Sequence, residues 1–419
     1  MNPYLVVILA ALAAAWALEA VADWLNLRRA GEALPAEFAG CYDAARYARA
    51  QRYLRDTTRF GLLRDSAATA ALVAFIAAGG FNLADRAARS LNFGELATGL
   101  AFGALLVLGS RLLALPFAVY DTFVLEARYG FNTTTPGTFA LDLLKELLLT
   151  ALLGAPLFAA VLWLFDRAGP LAWLCVWGFV AAFELVVLYV APYVIMPLFN
   201  RFAPLPAGEL RAAVEAYAAA ETFRMKGVFQ MDGSRRSSKT NAFFTGFGRS
   251  RRIVLYDTLI ARHTVPELVA VVAHEMGHYR RRHVPKALAR SIALSGVTFF
   301  LLSRFIRHPG LFAAFGMEHL SIYASLVFFA FLYTPISLAV SLVEHAISRR
   351  QEYEADAYAA ATGGSPLALI DALKKLSVEN LSNLTPHPLK VLLDYGHPPV
   401  LERIRAIRAL VAAGEGRSR

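Results

Sequence analysis

Seven long apolar stretches constrain this chain more than any other feature of its sequence. They cover residues 4–23, 67–84, 96–120, 147–165, 171–197, 287–305 and 320–343. A helix needs about 20 residues to cross the hydrocarbon core of a bilayer, and these stretches are close to that length or longer. Apolar residues make up 57% of the chain and charged residues only 18%, against about 25% in soluble domains. The sequence therefore predicts an all-α polytopic membrane protein with about seven transmembrane helices.

Basic residues predict how these spans are oriented. Region 26–65 carries eight Arg, and segment 200–290 carries sixteen Lys or Arg, whereas the loops at 85–95 and 166–170 carry two and one. Because basic loops stay on the cytoplasmic side, we expect the N-terminus outside and the polar segments 198–290 and 346–419 in the cytoplasm. The net charge of +10 is mainly this topology signal, so we expect membrane lipid and no nucleic acid as a partner.

The larger polar segment combines short strands with a helix. Runs 228–231 and 253–256 are strand candidates around a polar tip at 234–240, with a turn at Gly248 and Arg249. They predict a small antiparallel sheet. Thr264 then caps a helix whose first turn holds Pro266 and Glu267.

That helix carries the strongest chemical signal, the sequence His274-Glu275-Met-Gly-His278. Residues i and i+4 lie on one helix face, so the two imidazoles can bind one zinc ion. Glu275 can then accept a proton from the water that the metal activates. The alternative is two surface histidines on a polar helix, but neighbouring apolar residues such as Val272 and Met276 indicate a half-buried helix.

A catalytic zinc needs a third protein ligand and an open position. Arg281 occupies the place where a local extension of the motif needs Gly, so the ligand must come from elsewhere. The best candidate is Glu352, with Asp356 one turn later on the same helix face. One carboxylate can bind the metal while the other orients a ligand histidine. The alternative is a solvated acidic helix, and Glu354 is expected to point to solvent.

The ligands flank the sixth and seventh spans. His278 lies shortly before the sixth span and Glu352 shortly after the seventh, which puts both within roughly 15 Å of the membrane face at about 1.5 Å per helical residue. This position favours a peptide or protein substrate that is tethered to the membrane. Arg111 and Glu184 fall within spans, where they either mark a polar interior or pair near a span end.

Together these features resemble the type I CAAX prenyl endopeptidases, which are integral-membrane zinc metalloproteases of the gluzincin type. The shared motifs are Pro116-Phe-x-x-Tyr120, Gly130-Phe-Asn132, Asp232-Gly-Ser-Arg-Arg-Ser-Ser238, Asn241-Ala-Phe-Phe-Thr-Gly246, Arg252-Ile-Val-Leu-Tyr-Asp-Thr258, His274-Glu-Met-Gly-His278, Ser348-Arg-x-x-Glu-Tyr-x-Ala-Asp356, Asn380-Leu-Ser-Asn383, His387-Pro388 and His397-Pro-Pro-x-Leu-Glu-Arg403. The resemblance implies seven helices enclosing a water-filled chamber, with a zincin-like catalytic part at its cytoplasmic end. In eukaryotic members it implies release of the last three residues from a farnesylated C-terminal Cys peptide.

The resemblance also assigns roles to single positions. It implies zinc binding by His274, His278 and Glu352, with Glu275 as general base and Asp356 as the partner of a ligand histidine. The strand of Asn241, Ala242, Phe243, Phe244 and Thr245 is implied to pair with an extended substrate.

His397 and Arg403 are implied to stabilise an oxyanion. Their alternatives are local: His397 would cap a turn, and Arg403 would pair with Glu402 or Asp356. His283 and His387 recur in the family pattern and are interpreted as structural.

The resulting prediction is a zinc metalloendopeptidase in four regions: 1–197 with spans one to five, 198–286 with the catalytic part, 287–345 with spans six and seven, and 346–419 with the third ligand. The alternatives are a membrane-protein quality-control metalloprotease without a prenyl requirement, and a non-catalytic membrane scaffold with a structural zinc. The excess of Arg over Lys is typical of a GC-rich bacterium, which favours the inner membrane; a eukaryotic chain would lie in the endoplasmic reticulum.

Overall fold

The computed structural model describes residues 2–223, 225–246 and 251–417; the turn predicted at Gly248 and Arg249 lies outside them. The helices are α1 Pro3–Arg29, α2 Ala44–Ala77, α3 Gly80–Arg89, α4 Glu95–Tyr120, α5 Pro136–Leu149, α6 Ala155–Arg167, α7 Ala172–Val190, α8 Ile195–Phe199, α9 Glu209–Ala220, α10 Asp257–Ile260, α11 Val265–Arg280, α12 His283–Ser303, α13 Pro309–Ala314, α14 Ile322–Leu332, α15 Thr334–Thr362, α16 Pro366–Glu379, α17 Pro388–Asp394 and α18 Val400–Arg417. The strands are β1 Phe202–Pro204, β2 Gly227–Met231, β3 Ala242–Thr245 and β4 Arg252–Tyr256. Segments of π-helix at Asp121–Glu126 and Thr150–Gly154 extend α4 and join α5 to α6.

Six helical stretches in the described chain are long and apolar enough to cross a membrane. They are α1, α2, α4 with its π-helical extension, α5 with α6, α7, and α12. The pair α14 and α15 adds a seventh span if the two helices, bent by 58°, are counted as one. These spans and the small sheet confirm the predicted fold class.

The predicted bounds of the second span were wrong. The helix is α2, which starts at Ala44 and ends at Ala77, whereas the apolar stretch suggested 67–84. Hydropathy detects only the apolar half of α2, and the Arg-rich half continues the same helix because Ala and Arg are both good helix formers. Gly79, with a left-handed φ of 68°, ends the span and turns the chain into α3.

The seventh predicted stretch, 320–343, is not one straight helix. The chain bends at Tyr333, and Pro335 lies in the first turn of α15, where its missing N–H interrupts the hydrogen bonding from α14. From there α15 runs without a break to Thr362. The last apolar stretch and the following polar helix therefore share one rigid element, which carries Glu352 from the membrane into the polar part.

The sheet is mixed, and the predicted antiparallel pairing of β2 with β4 was wrong. The strand order is β1-β2-β4-β3. β2 and β4 run parallel, with Val228 opposite Ile253, while β1 is antiparallel to β2 and β3 to β4. β3 precedes β4 in the sequence and pairs with it as an antiparallel neighbour at the edge of the sheet. β2 lies on the other side of β4.

The start of α11 follows the predicted cap. The Thr264 side chain accepts from the backbone at Glu267, and the Glu267 carboxylate accepts from the Thr264 N–H at 2.8 Å, which makes a capping box. Further along, α11 packs against α15 with Val272 and Met276 fully buried. The helices approach closely where Gly277 meets Ala355. This contact sets the distance between the two metal-binding elements.

Candidate metal centre

Three donor atoms from two helices converge beside the α11–α15 contact. His278 Nε2 on α11 lies 3.2 Å from His274 Nε2 and 3.2 Å from Glu352 Oε1 on α15. His274 Nε2 lies 3.4 Å from Glu352 Oε2. The structure thus brings together the three residues that the sequence singles out as metal ligands.

The donor set and its spacing fit a zinc ion. Two imidazole nitrogens and a carboxylate oxygen are ligands typical of catalytic zinc sites. With bonds of about 2.0–2.2 Å and tetrahedral angles, such atoms lie roughly 3.3–3.6 Å apart, close to the spacing here. His274 and Glu352 are both buried, so a cation would be largely shielded from solvent on the protein side.

Asp356 and Arg403 hold His274 from the side opposite the donor atoms. His274 Nδ1 lies 2.9 Å from Asp356 Oδ1, so this carboxylate orients the imidazole with Nε2 toward the metal position. Arg403 on α18 donates to both Asp356 oxygens, at 2.7 and 2.8 Å. Burial lowers the pKa of His274, but the hydrogen bonds to Asp356 and Glu352 prevail and raise it to about 9. A metal ion bound at His274 Nε2 would have to displace a proton from this site.

Glu275 follows His274 in α11, is half-buried, and is close enough to His274, His278 and Glu352 to feel their charges. Burial raises the pKa of Glu275 above the usual glutamate range, and the nearby Glu352 carboxylate adds to that rise. The positive groups His274, His278 and Arg403 oppose it. A glutamate with a raised pKa is suited to both accepting and returning a proton near neutral pH.

His397, in the connection between α17 and α18, approaches the Glu352 carboxylate. Its Nδ1 lies 2.9 Å from Glu352 Oε2, while 72% of the side chain remains exposed. Arg403, by contrast, is mostly buried; it donates to Asp356 and also lies 3.5 Å from the same Glu352 oxygen. The two residues that the resemblance pairs in one role thus occupy different positions: His397 at the open side of the site and Arg403 beneath it.

The predicted substrate strand lies at an edge of the sheet. Among the described strands, β3 has β4 as its only neighbour. Asn241 O accepts a hydrogen bond from Tyr256 N, and Ala242 stands opposite Leu255. Because bonded and non-bonded pairs alternate, the backbone groups of Ala242 and Phe244 face away from β4.

The expected position of Glu354 was wrong, and its partner is His283. Glu354 was expected to point to solvent, but its Oε2 lies 3.2 Å from His283 Nε2. His283 Nδ1 in turn lies 2.9 Å from His278 Nδ1. His283 follows His278 by five residues, a spacing that does not share one helix face, so no pattern in the sequence pointed to this contact.

Comparison with known proteins identifies the family. The family described as CAAX prenyl protease N-terminal, five membrane helices, matches residues 23–201, and Peptidase family M48 matches residues 204–411. The CAAX prenyl protease 1 homolog of Oryza sativa subsp. japonica is 39% identical over 314 residues, which cover 75% of this chain and 74% of the relative. The chain belongs to the type I CAAX prenyl protease family. The predicted resemblance is therefore confirmed.

Other members of this family agree over most of their length. The Homo sapiens homolog is 32% identical over 355 residues, covering 75% of this chain and 74% of the relative. The crystal structure of S. mikatae Ste24p superposes with a TM-score of 0.92 at 30% identity, covering 97% of this chain and 99% of that one. As a CAAX prenyl protease family member, the chain is a multi-pass membrane metalloendopeptidase that acts on a peptide or protein substrate.

Proposed function

We propose that this enzyme uses zinc to cleave CAAX-type substrates, removing the C-terminal tripeptide from a prenylated Cys peptide. The observation that carries the proposal is the convergence of His274 Nε2, His278 Nε2 and Glu352 around one position beside Glu275. The names of the similar proteins support the substrate class. The three donors would be the zinc ligands, and Asp356 would fix the tautomer of His274.

A zinc ion held there would act as a Lewis acid on the scissile carbonyl and on the attacking water. Glu275 takes a proton from that water and returns it to the leaving amine. The raised pKa of Glu275 supports the second transfer, because a more basic carboxylate holds the proton between the two steps.

His397 and Arg403 would share the stabilisation of the oxyanion unequally. The exposed His397 ring, held through Nδ1 on Glu352, can present Nε2 to a substrate at the open side of the site. Arg403 would act through the positive charge that it adds beneath the site while it holds Asp356 in place.

The substrate would bind as an additional strand along β3. The predicted substrate strand, Asn241 to Thr245, consists of β3 and the residue that precedes it. Ala242 and Phe244 would form its backbone hydrogen bonds, because their N–H and C=O groups face away from β4. The Ala242 N–H is now held by the Asn241 side chain at 2.8 Å, a contact that an incoming carbonyl can replace.

We further propose that the spans enclose a polar chamber and that the metal centre lies on its cytoplasmic side. Polar contacts between spans support a hydrated interior. Arg290 donates to Glu344 through two nitrogens, Ser291 donates to Glu184 at 2.9 Å, and Arg111 lies 3.5 Å from Glu146. The N-terminus would then lie outside, and regions 198–286 and 346–419 would form the catalytic side, in the inner membrane of a bacterium or the endoplasmic reticulum of a eukaryote.

The decisive experiment compares a farnesylated C-terminal peptide with its unprenylated twin, each with and without a metal chelator. We expect the purified protein to release the tripeptide from the farnesylated peptide, and added zinc to restore activity after chelation. Equal cleavage of both peptides would favour a quality-control protease. A lack of hydrolysis of either peptide by zinc-loaded protein would overturn the proposed CAAX substrate.

Replacing Glu275 tests the mechanism within the same assay. Glu275→Gln keeps the size of the side chain but cannot accept a proton, so we expect zinc binding to persist and turnover to fall by about 10²–10⁴-fold. Zinc content measured on the purified variant serves as the control. A zinc-loaded variant with normal turnover would contradict the proposed role of Glu275.

A further inference from the structure

A second chain of hydrogen bonds reaches the metal centre through His278. His283 Nδ1 lies 2.9 Å from His278 Nδ1, and His283 Nε2 lies 3.2 Å from Glu354 Oε2. The His283 side chain is only 4% exposed, so water cannot readily replace either contact. Asp356 reaches His274 directly, whereas here a carboxylate reaches the other histidine through a second imidazole.

Only one proton arrangement satisfies this chain once His278 binds a metal. His278 offers Nε2 to the metal position, so its proton must sit on Nδ1. His283 Nδ1 must then accept that proton in a hydrogen bond, which places the proton of the neutral His283 ring on Nε2. That N–H points at the Glu354 carboxylate, an acceptor. Each group therefore fixes the tautomer of the next.

The backbone holds this arrangement by a tight turn. α11 ends at Arg280, and Arg282 adopts a left-handed conformation with φ 57°. This turn starts α12 at His283 and folds its ring back onto His278. Non-glycine residues rarely adopt that conformation, and they do so where the surroundings favour it, as the buried His283 contacts do here.

α15 supplies the carboxylate at the end of both hydrogen-bonded series, the one that starts at His274 and the one that starts at His278. Glu352 faces the metal position, Asp356 faces His274, and Glu354 faces His283. Arg350 also contacts Glu354 at 3.2 Å, but its side chain is 83% exposed, and such exposed pairs contribute little. His283 is almost fully buried, so its contact with Glu354 is stronger than the exposed Arg350–Glu354 pair.

We propose that His283 and Glu354 are positioning residues, which hold His278 in the tautomer and ring orientation that bind the metal. The inference rests on the proposed zinc chemistry but concerns metal binding, which can be measured without any substrate. The His283–Glu354 contact also joins α12 directly to α15, and His283 passes this support on to His278 in α11.

The test uses paired substitutions in the full-length protein. His283→Leu removes the acceptor, while His283→Asn restores an oxygen near the position of Nδ1. Zn²⁺ affinity is measured by competition with a chelator, and the ligand geometry by the absorption spectrum of the Co²⁺-loaded protein. We expect His283→Leu to weaken Zn²⁺ binding by about 10–100-fold and to change the Co²⁺ bands. His283→Asn should recover most of both.

Glu354 provides an independent variant, because half-exposed Glu354→Ala leaves the core intact. We expect a smaller loss of Zn²⁺ affinity than for His283→Leu, with Glu354→Gln close to wild type since it keeps an acceptor. The matched controls are Arg350→Ala, which removes only the exposed partner, and His263→Leu, which removes a buried histidine bonded to Leu259 O. Both should bind Zn²⁺ as wild type does.

Normal Zn²⁺ affinity and Co²⁺ spectrum in both His283→Leu and Glu354→Ala would overturn the proposal, as would a His283→Asn protein as weak as His283→Leu. If His283→Leu does not fold, the comparison of Glu354→Ala with Glu354→Gln tests the proposal, and equal Zn²⁺ affinity in these two variants would overturn it. This test can fail or succeed independently of the proposed function. A wild-type protein that cleaves no peptide, while the variants still differ in Zn²⁺ affinity as expected, would overturn only the function.

Discussion

At the scale of single residues, Gly277 controls how closely the two metal-binding helices approach. A Cβ at this position would lie 2.9 Å from Ala355 Cα and 3.0 Å from Ala355 O. Both are backbone atoms of α15, so no side-chain rotation relieves the contact and the helices must separate. A misplacement of 1 Å can cost about 100-fold in rate. We therefore expect Gly277→Ala to bind Zn²⁺ more weakly and to lose most of its turnover, measured by metal titration and peptide hydrolysis.

Gly61→Ala is the matched control for that prediction. Gly61 lies in α2, and apart from its own chain neighbours and the backbone of its own helical turns, no described atom comes within 4 Å of a Cβ added there. Alanine favours a helix over glycine by up to about 1 kcal/mol, so this variant should keep its metal affinity and be equally or more stable. If Gly277→Ala behaved in the same way, the close approach to Ala355 would not determine the site.

At the scale of elements, the free edge of β3 gives a prediction about substrate binding. Ala242→Pro removes an N–H that faces away from β4 and leaves the β3–β4 hydrogen bonds in place. Loss of one substrate hydrogen bond should raise KM by about 3- to 10-fold. Zn²⁺ affinity should not change, because the substitution lies outside the metal-binding helices. Steady-state kinetics on the farnesylated peptide measure the effect.

Ala242→Val tests whether the backbone N–H is the cause. It adds side-chain bulk to the same position but keeps the donor, so its KM should stay near that of the wild type. A KM raised equally by both substitutions would show that the side chain, and not the strand edge, makes the contact with substrate.

At the scale of the whole molecule, α1 connects the two ends of the bundle. Near its start, Asn2 Nδ2 donates to Gly310 O at 2.8 Å, and near its end, Asn26 Oδ1 accepts from His387 N at 3.1 Å. The short helix α13 therefore lies at the end of the bundle with the N-terminus, and α17 lies at the other end. The proposed orientation places α17 and the metal centre in the cytoplasm.

Cysteine labelling tests that orientation. In a Cys175→Ala background, Cys41 lies between α1 and α2, while an added Ser90→Cys lies between α3 and α4. Both positions are exposed. We expect a membrane-impermeant maleimide to label Ser90→Cys in right-side-out vesicles, and Cys41 only after permeabilisation or in inside-out vesicles. The opposite pattern would place the metal centre outside.

Local patterns predicted the parts of this protein that depend on neighbours in sequence. The i, i+4 spacing of His274 and His278 and the cap at Thr264 are properties of a single helix, and both appear in α11 as expected. Glu352 was found because a catalytic metal needs a third donor. His397 and Arg403 came only from the family resemblance, since nothing in their spacing indicates a site.

Other features were missed because their partners lie far apart in sequence. A period of two marks β2 and β4 as strands but not which strand is the neighbour, so their parallel pairing could not be read. The contact of His283 with His278 depends on the left-handed turn at Arg282, for which arginine has no preference. Glu354 was assigned to solvent because its partner is on another helix.

The sequence by itself determined that this chain lies in a membrane, that it has about seven spans, and that one helix carries a metal-binding pair. Hydropathy and helical period are enough for these, since each acts within a single element. Only the tertiary structure decided which carboxylate meets which histidine. That choice depends on α11 and α15 touching at Gly277 and Ala355, and close packing between distant helices leaves no periodic signal in either one.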